Sequence, residues 1–461
     1  MATSSPAQSL DTTFRDPAGF LVIKENRVLR TVRKEFVSNT LAFLESPIAR
    51  KWVDSQRLVS TEVLEAKAGE EAHLEHGRVF FPSYPWEWTP GQLSAAAELT
   101  LDFCEDLVDS GWVLKDATPR NVLFDGPFPR FVDVLSIERR DPLNPLWLAS
   151  GQFVRTFLLP LAAHKYLGWP LSATLTQRDG YEPADLYPKL GLTRRIRRPL
   201  LSLVTLPVLF EAQSKTLGAV RIRRPPPIAT AVLKHTLRSL RRSLQRLRPS
   251  PLQSRWNRYV ETASHYSQDD SNRKTAFVRD SFMLTRAKDV LDVGGNTGIF
   301  SRLAAFTGAR VVSWDADVAA TEQAWDQARQ VRANVVPLVA NFARPTPATG
   351  WNNSETLSLI DRARGRFDFV AMLAVLHHLL VSDQIPLDRM APLIRELTSR
   401  WLLIEWVSPS DPMFRKLSCG RDELYAHLTH HAFLSAFTPY FRMARHMELG
   451  NGRIVHLFEA R

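Results

Sequence analysis

The sequence predicts an α/β fold whose C-terminal half is a doubly wound parallel sheet. Short apolar runs of strand length alternate there with helical patterns, which is the signature of parallel strands joined by helical crossovers. One of these runs, residues 290–293, leads directly into a glycine-bearing turn at 294–298 and then into a helical pattern. Because ligands of such sheets bind beyond the carboxyl ends of the strands, the turn predicts a binding loop at that edge.

The turn and the strand that follows it have the spacing of a nucleotide-type site. Gly294 and Gly298 have no Cβ, so they adopt positive φ readily and let the backbone approach a ligand closely. A second apolar run, residues 309–314, ends in Asp315, which lies 17 residues beyond Gly298. An acid in this place accepts hydrogen bonds from both hydroxyls of a ribose, so Asp315 is a candidate cofactor ligand.

The loop itself departs from the pattern of nicotinamide-binding proteins. Asn296 stands in the place of the second glycine, and Asp292 comes just before the loop. This combination resembles motif I of the class I S-adenosylmethionine (SAM) dependent methyltransferases. The resemblance implies a Rossmann-like sheet with SAM as the cofactor. The residues that it implies for cofactor binding are Asp292, Gly294, Gly295, Asn296, Gly298, Asp315, Asn341 and Leu373.

Later segments follow the order of the same family. Asn341 comes after the apolar run 335–340, where the family usually has an acidic or amide residue that contacts the adenine. Residues 366–379 look like the fourth strand and the turn after it, 401–407 like the fifth strand, and 453–459 like a closing strand. The resemblance therefore extends through the C-terminal part of the chain.

The N-terminal half carries a second group of chemically suggestive residues. Asp116, Asn121 and Asp133 are spaced as in protein-kinase-like phosphotransferases, where the first Asp orients the acceptor hydroxyl and the other two hold metal on the phosphates. The residues around them depart from that pattern, and no phosphate-covering glycine loop is visible upstream. Lys24 and Arg30 are both candidates for the phosphate-binding cation, and the spacing favours neither. Three interpretations remain open: an α+β kinase-like domain without phosphotransfer, an active kinase, and coincidence.

The whole chain resembles one group of bacterial enzymes, the NoeA-type nodulation methyltransferases. The segments that carry this resemblance are residues 14–20, 83–88, 114–116, 131–138 and 405–413. It implies methylation in host-specific nodulation, with a lipo-chitooligosaccharide or its precursor as the acceptor.

The resemblance and the composition together predict four segments. They are a disordered tail at 1–13, a kinase-like domain at 14–190, a basic helical linker at 191–255 and a SAM-dependent methyltransferase domain at 256–461. The linker accounts for the whole of the chain's net charge of +11, because residues 194–248 contain 14 Lys or Arg and one acid, Glu211.

The end of the linker has the pattern of a basic amphipathic helix. Leucines recur at steps of three or four from Leu233 to Leu247, with arginines around them. Such a helix can lie on an anionic membrane surface or meet an acidic partner. Alternatively, its leucines pack on a neighbouring domain while its arginines stay in water. Nucleic-acid binding is disfavoured, because no known motif or interleaved aromatic residue accompanies the arginines.

Cysteine content and hydropathy predict a cytoplasmic protein. Cys104 and Cys419 are too few for a disulfide framework or a cysteine zinc site. The N-terminus lacks the basic and apolar regions of a signal peptide. The apolar stretch 200–210 is about half the ~20 residues that a membrane-spanning helix requires.

The catalytic candidates follow from the chemistry of methyl transfer. Displacement at a sulfonium methyl mainly requires alignment and exclusion of water, and a general base is needed when the acceptor is a hydroxyl. His377, His378 and Glu405 lie near the carboxyl ends of predicted strands. Each also has a structural interpretation, because histidines at a helix start can cap or pack and a buried carboxylate needs a partner.

The sequence therefore predicts a SAM-dependent methyltransferase that acts on a small-molecule or glycolipid acceptor and needs no metal at that site. One alternative is a bifunctional enzyme that also phosphorylates its acceptor, with metal and ATP bound at Asp116, Asn121 and Asp133. Another is a non-catalytic module that binds SAM as a structural ligand.

Overall fold

The computed structural model describes residues 10–11, 13–24, 27–67, 69–211, 222–249 and 268–461. Most of the predicted tail, residues 212–221 and 250–255 of the predicted linker, and the start of the predicted methyltransferase domain up to residue 267 lie outside these ranges. The chain divides into two compact units. The N-terminal unit contains residues 1–124, 129–250 and 350–356, and the C-terminal unit contains residues 125–128, 251–349 and 357–461.

The N-terminal unit begins with a five-stranded antiparallel sheet of strand order β1-β2-β3-β5-β4. Its strands are β1 (Leu10–Asp11), β2 (Gly19–Lys24), β3 (Arg27–Val32), β4 (Thr61–Ala66) and β5 (Ala72–His76). Helices α1 (Lys34–Leu44) and α2 (Pro47–Asp54) connect β3 to β4. In β5 the side chains of Ala72, Leu74 and His76 are buried and His73 is exposed, as the two-residue period of a half-buried strand requires.

A long buried helix, α3 (Pro90–Asp109), follows the sheet. It begins with a capping box, in which Thr89 and Gln92 each accept a hydrogen bond from the other's backbone N–H. The short strands after it are β6 (Trp112–Leu114), β7 (Val122–Asp125), β8 (Phe128–Phe131) and β9 (Ile137–Arg139). β6 pairs with β9, and β7 pairs with β8. β6 and the turn at Pro119–Asn121 contact α3.

The rest of the N-terminal unit is helical. α4 (Ser150–Phe153) continues through a π-helical stretch, Val154–Leu158, into α5 (Leu159–Leu167). The elements that follow are α6 (Pro183–Leu186), α7 (Leu192–Arg195), a π-helical stretch at Leu201–Thr205, α8 (Leu206–Glu211) and α9 (Pro226–Leu247).

α9 contains the leucine repeat of the predicted basic linker, and it packs against α3. The leucines at 233, 237, 240, 244 and 247 are all buried. Cations of the same helix pair with acids of α3: Arg241 Nη2 lies 2.8 Å from Asp102 Oδ1, and Lys234 pairs with Asp109. The described linker residues, 191–211 and 222–249, thus belong to the N-terminal unit, whereas the sequence predicted a separate linker. The reason is that the leucine side of α9 packs against an apolar surface of α3.

The C-terminal unit is built on a seven-stranded sheet of order β12-β11-β10-β13-β14-β16-β15. The strands are β10 (Asp289–Val293), β11 (Arg310–Asp315), β12 (Val335–Val339), β13 (Phe367–Met372), β14 (Thr398–Trp406), β15 (Phe441–Glu448) and β16 (Ile454–Ala460). β10 to β14 pair in parallel, and β16 is antiparallel to both of its neighbours. This arrangement confirms the Rossmann-like sheet that the sequence predicted.

Helices cover both faces of this sheet, as its nearly continuous apolar strands require. They are α10 (Gln268–Thr285), α11 (Ile299–Phe306), α12 (Val318–Gln330), α13 (Leu359–Ala363), α14 (Leu376–Val381), α15 (Leu387–Leu397), α16 (Pro412–Ser418) and α17 (His430–Phe437). The core between them contains Val290, Phe369, Leu403, Val455 and Leu457, none of which is more than 1% exposed. Among the described residues, no helix has the length and apolar character needed to cross a bilayer.

Candidate cofactor site and the residues around it

A cavity of about 550 Å³ opens at the carboxyl ends of β10, β11 and β13 in the C-terminal unit. It lies where the strand order reverses between β10 and β13, which is the ligand-binding position of doubly wound sheets. The predicted cofactor residues that line it are Asp292, Gly294, Gly295, Asn296, Asp315, Asn341 and Leu373. Gly298 is not among the lining residues and instead precedes α11 as its N-cap.

The glycine loop is held in a tight turn by backbone hydrogen bonds. Gly294 and Gly298 have φ angles of 75° and 74°, and Asn296 has a φ of 48°. The N–H groups of Gly294 and Gly295 both donate to the carbonyl of Trp314, at 2.7 and 3.2 Å. A Cβ on Gly295 would lie 2.0 Å from Ser313 Oγ, so this position also requires glycine.

Asp315 joins the glycine loop to the end of β11. Its two carboxylate oxygens accept one backbone N–H each, from Asn296 at 2.8 Å and from Asp317 at 2.8 Å. Burial raises the pKa of Asp315. Because a carboxylate has about four lone-pair sites, the described residues leave two of them for hydroxyl donors in the cavity.

Asp292 lies beneath the loop and is 3% exposed. It accepts a hydrogen bond of 2.5 Å from the hydroxyl of Ser301 on α11. Burial, together with the nearby charge of Asp315, raises the pKa of Asp292 to about 6. The same side chain therefore anchors α11 to β10 and forms part of the cavity wall.

The two predicted catalytic histidines differ in their access to the cavity. His378 lines it, whereas His377 is 2% exposed and is not a lining residue. Burial lowers the pKa of His377 to about 3, and the pKa of His378 is also lowered, chiefly by burial. The Nδ1 atom of His377 has no hydrogen-bond partner in the part of the chain that the structure describes. A lowered pKa keeps the imidazole neutral, which is the form that accepts a proton.

Glu405, the third predicted catalytic residue, is fully buried at the end of β14 and does not line the cavity. Its Oε2 accepts a 2.6 Å hydrogen bond from Lys274 Nζ, and its Oε1 lies 3.7 Å from Arg453 Nη1. Arg453 in turn donates from Nε to Asp411 at 2.8 Å. These four buried side chains form an ion network that connects α10 to β14 and to the start of α16.

Sequence reasoning missed Lys274, which the structure places in the cavity wall. A carboxylate inside an apolar strand signals that some cation must be buried with it. The spacing along the chain does not identify that cation, because Lys274 is 131 residues away from Glu405.

The N-terminal unit also brings its predicted residues together. Asn121 Nδ2 donates to Ser136 Oγ at 2.9 Å, and the Ser136 hydroxyl donates to Asp133. Arg30 Nη1 lies 3.0 Å from Asp133 Oδ1, which favours Arg30 over Lys24 as the cation of this group. Burial, followed by the charge of Asp133, raises the pKa of Asp116. Within the described residues, no group of three His, Cys, Asp or Glu side chains could hold a metal ion.

Comparison with known proteins identifies the chemistry of the C-terminal unit. A family model described as a methyltransferase domain matches residues 234–440, which include every lining residue of the cavity. The chain is a SAM-dependent methyltransferase. Its cofactor is S-adenosyl-L-methionine, as the glycine loop and Asp315 predicted.

The whole chain is similar to the nodulation protein NoeA of Rhizobium meliloti (strain 1021). The two are 29% identical over 466 residues, which is 97% of this chain and 95% of NoeA. This confirms the predicted NoeA-type resemblance.

Two solved methyltransferases also match. The N-methyltransferase NodS of Bradyrhizobium japonicum WM9, in complex with S-adenosyl-L-homocysteine, is 12% identical and covers 44% of this chain and 98% of its own, with a TM-score of 0.31. The magnesium protoporphyrin IX methyltransferase ChlM of Synechocystis PCC 6803 is 16% identical and covers 42% and 84%, also with a TM-score of 0.31.

Proposed function

We propose that the methyltransferase modifies a chitin-type oligosaccharide, either as a lipo-chitooligosaccharide or as its precursor, in nodulation. The observation that supports this acceptor is the similarity to a nodulation protein over 97% of the chain. The polar side chains that line the cavity beyond the glycine loop, Gln268, Ser271, Thr275 and Asp383, suit an acceptor rich in hydroxyl and amide groups.

The residues of the cavity fit the cofactor. The two free lone-pair sites of Asp315 would accept the ribose hydroxyls, and the closely packed loop at Gly294 and Gly295 would let the backbone approach the ligand. Asn341 lies in the cavity wall at the end of β12, where it would contact the adenine. When bound, SAM supplies the electrophilic methyl group.

His378 is the residue that we propose as the general base. It lines the cavity, and its lowered pKa keeps it neutral near pH 7. A neutral imidazole would accept the proton of an acceptor hydroxyl as the methyl group transfers. His377 lies behind it, with the two ring centroids 4.3 Å apart, so we assign His377 a positioning role. We assign Glu405 a positioning role as well, through its ion pair with Lys274.

The first test is a calorimetric titration of the protein with S-adenosylhomocysteine, followed by an assay of labelled methyl transfer. Chitin oligomers with and without an N-acyl chain would be offered as acceptors. Transfer to the acylated or the free oligomer supports the proposal, and the His378→Asn variant should lower kcat while leaving S-adenosylhomocysteine affinity unchanged. If the protein binds the cofactor but methylates none of the chitin oligomers, the proposed acceptor is wrong. If it binds the cofactor and methylates no acceptor of any class, a non-catalytic SAM-binding module is favoured.

We also propose that the N-terminal unit is a kinase-like domain without phosphotransfer. Its antiparallel sheet precedes the group formed by Asp116, Asn121 and Asp133, in the order typical of kinase-like proteins. The ion pair between Arg30 and Asp133 engages one of the carboxylates that a metal would need. Titration with magnesium and a non-hydrolysable ATP analogue tests this. Binding that is lost in Asp133→Asn would instead support the bifunctional methyltransferase and kinase.

A further inference from the structure

The N-terminal unit has an apolar surface on α7, α8 and their flanking residues. Large apolar side chains in a folded protein are usually buried, and contiguous exposed ones mark binding surfaces. The exposed fractions here are 77% for Leu192, 70% for Ile196, 39% for Leu206, 52% for Leu209 and 60% for Phe210. We refer to these five residues, with Arg194, Arg197 and Arg198, as the α7–α8 face.

The apolar residues of this face lie on one side of each helix. Leu192 and Ile196 are four positions apart, and Leu206 is followed at three and four positions by Leu209 and Phe210. Residues at these spacings lie on the same side of a helix.

The two helical segments meet at a hydrogen bond, which the Thr205 hydroxyl donates to the carbonyl of Arg195 at 2.7 Å. Ile196 and Leu206, the next residue after each partner, therefore lie at the same junction. The opposite side of the second helix is held in the unit, because Leu200, Leu203 and Val204 are buried. The exposed apolar residues thus lie on the solvent side of helical segments whose other side is packed in the unit.

Positive charge surrounds these apolar side chains. Arg194, Arg197 and Arg198 are exposed, and the one acid between residues 189 and 211 is Glu211, at the end of α8. The guanidinium of Arg195 is held over the ring of Tyr187 at 4.1 Å, so it also contributes charge beside the face.

The other basic helix of the unit, α9, differs from this face in the burial of its apolar side chains and in the pairing of its cations. Its leucines are buried against the unit, and Arg241 and Arg248 pair with acids of α3. The leucine side of α9 is therefore not available to a membrane, although its sequence pattern is that of a membrane-surface helix. The α7–α8 face combines the exposed apolar side chains that such binding requires with arginines that form no ion pair among the described residues.

We propose that the α7–α8 face binds the surface of membranes that contain anionic phospholipids. Its leucine, isoleucine and phenylalanine side chains enter the interfacial region, and Arg194, Arg197 and Arg198 contact lipid phosphates. Charge complementarity selects this partner, because apolar side chains ringed by arginines suit an apolar layer beneath negative headgroups. The proposal does not depend on which acceptor the methyltransferase modifies.

The test is co-sedimentation of the full-length protein with vesicles of phosphatidylcholine, with and without phosphatidylglycerol. We expect binding to the anionic vesicles only, and weaker binding at higher salt. Arg197→Gln/Arg198→Gln should lower the partition coefficient roughly 30-fold, since each arginine contributes about a factor of five at an anionic surface. Leu192→Ser/Ile196→Ser should lower it roughly 10-fold.

The matched control is Arg238→Gln/Arg242→Gln, which removes two exposed cations from α9. Its partition coefficient should change by less than about 2-fold, because Arg238 and Arg242 belong to α9 and are not part of the α7–α8 face. A thermal unfolding transition like that of the wild type confirms that each variant is folded.

Three outcomes would overturn the proposal. They are no binding of the wild-type protein to anionic vesicles, an equal loss of binding in the α9 control, and a concentration-dependent dimer that Leu192→Ser/Ile196→Ser abolishes in the absence of vesicle binding. The last outcome would assign the face to a second copy of the chain.

Discussion

The two units gather carboxylates in different ways. In the C-terminal unit, Asp292 and Asp315 lie in the wall of a cavity, and Asp315 still has lone pairs free for a ligand. In the N-terminal unit, Asp133 is engaged by Arg30 and by the Ser136 hydroxyl, and Asp116 lies close enough for the two carboxylates to repel each other. The carboxylate of Asp315 can therefore still accept hydrogen bonds from a ligand, whereas that of Asp133 is already used by side chains of its own unit.

This difference shows that a matching sequence motif does not by itself provide an open binding site. Both groups of residues match a family pattern, and the fold brings both together. A family pattern specifies which side chains converge, whereas binding depends on which of their lone pairs and charges are already used. The comparison therefore predicts that ligand binding responds to mutation in the C-terminal unit and much less in the N-terminal unit.

The largest expected effect concerns the buried ion network that supports the cavity. Lys274→Met removes the 2.6 Å partner of Glu405 and so breaks a buried ion pair of the network. Breaking one side of a buried ion pair costs about 3–5 kcal/mol, so the free energy of unfolding should fall by about that amount in urea titrations.

Two variants sharpen this result. Lys274→Met/Glu405→Gln should recover part of the loss, because the unpaired charge is then absent. Arg279→Met removes an exposed cation from the same helix and should cost less than about 0.5 kcal/mol. If Lys274→Met is as mild as Arg279→Met, the network is not a support of the fold, and our positioning role for Glu405 is wrong.

The second prediction is a pH dependence of stability from Asp292, whose pKa is raised from 3.8 to about 6 by burial. A carboxyl group whose pKa is raised on folding stabilises the protein below its unfolded pKa, and this stability is lost as the pH rises through the folded pKa. The loss for the apo protein between about pH 4 and pH 7 is about 3 kcal/mol.

Asp292→Asn removes this titration while keeping a side chain that can accept the Ser301 hydrogen bond. The unfolding free energy of the variant, minus that of the wild type, should therefore rise across the same pH range. Urea unfolding at several pH values measures the difference. A difference that stays constant with pH would show that folding does not raise the pKa of Asp292.

The parts of the structure that the sequence predicted well are those encoded locally. The glycine loop and Asp315 fall within a continuous segment, and the alternation of apolar runs predicted the parallel sheet. Pairings between distant residues could not be predicted, because spacing says nothing about them: Lys274 and Glu405 are 131 residues apart, and Arg30 and Asp133 are 103 apart. The periodicity of α9 likewise predicted a helix with an apolar stripe, but not that α3 would cover that stripe.

The third prediction concerns cofactor affinity. Asp315→Ala removes the acceptor that we assign to the two ribose hydroxyls, and also the acceptor of the Asn296 and Asp317 N–H groups. Hydrogen bonds to a charged group contribute about 1.5–3 kcal/mol each, so the loss of two of them should raise the Kd for S-adenosylhomocysteine at least roughly 100-fold in calorimetric titrations.

The control for this variant is Asp388→Ala, which removes an exposed acid at the start of α15 and should leave the affinity unchanged. Asp315→Asn should fall between the two, because an amide oxygen still accepts one hydrogen bond without the charge. Unchanged affinity in Asp315→Ala would mean that the cofactor does not use the end of β11, and the likeness of the cavity to a nucleotide site would lose its main support.

The smallest effect is expected in the N-terminal unit, at Asp116. Its raised pKa means that burial and the charge of Asp133 disfavour its ionised form. Asp116→Asn should therefore raise the Tm slightly, with a gain in stability at pH 7 below about 1 kcal/mol, and should change S-adenosylhomocysteine affinity by less than about 2-fold. Calorimetry and thermal unfolding of one preparation measure both quantities.

The reason for expecting so small an effect is that a carboxylate whose ionised form is disfavoured by folding, and that binds no ligand, can be replaced without loss. If Asp116→Asn instead abolishes methyl transfer while cofactor affinity is preserved, the N-terminal unit takes part in the reaction, and the contrast between an open and a satisfied site fails.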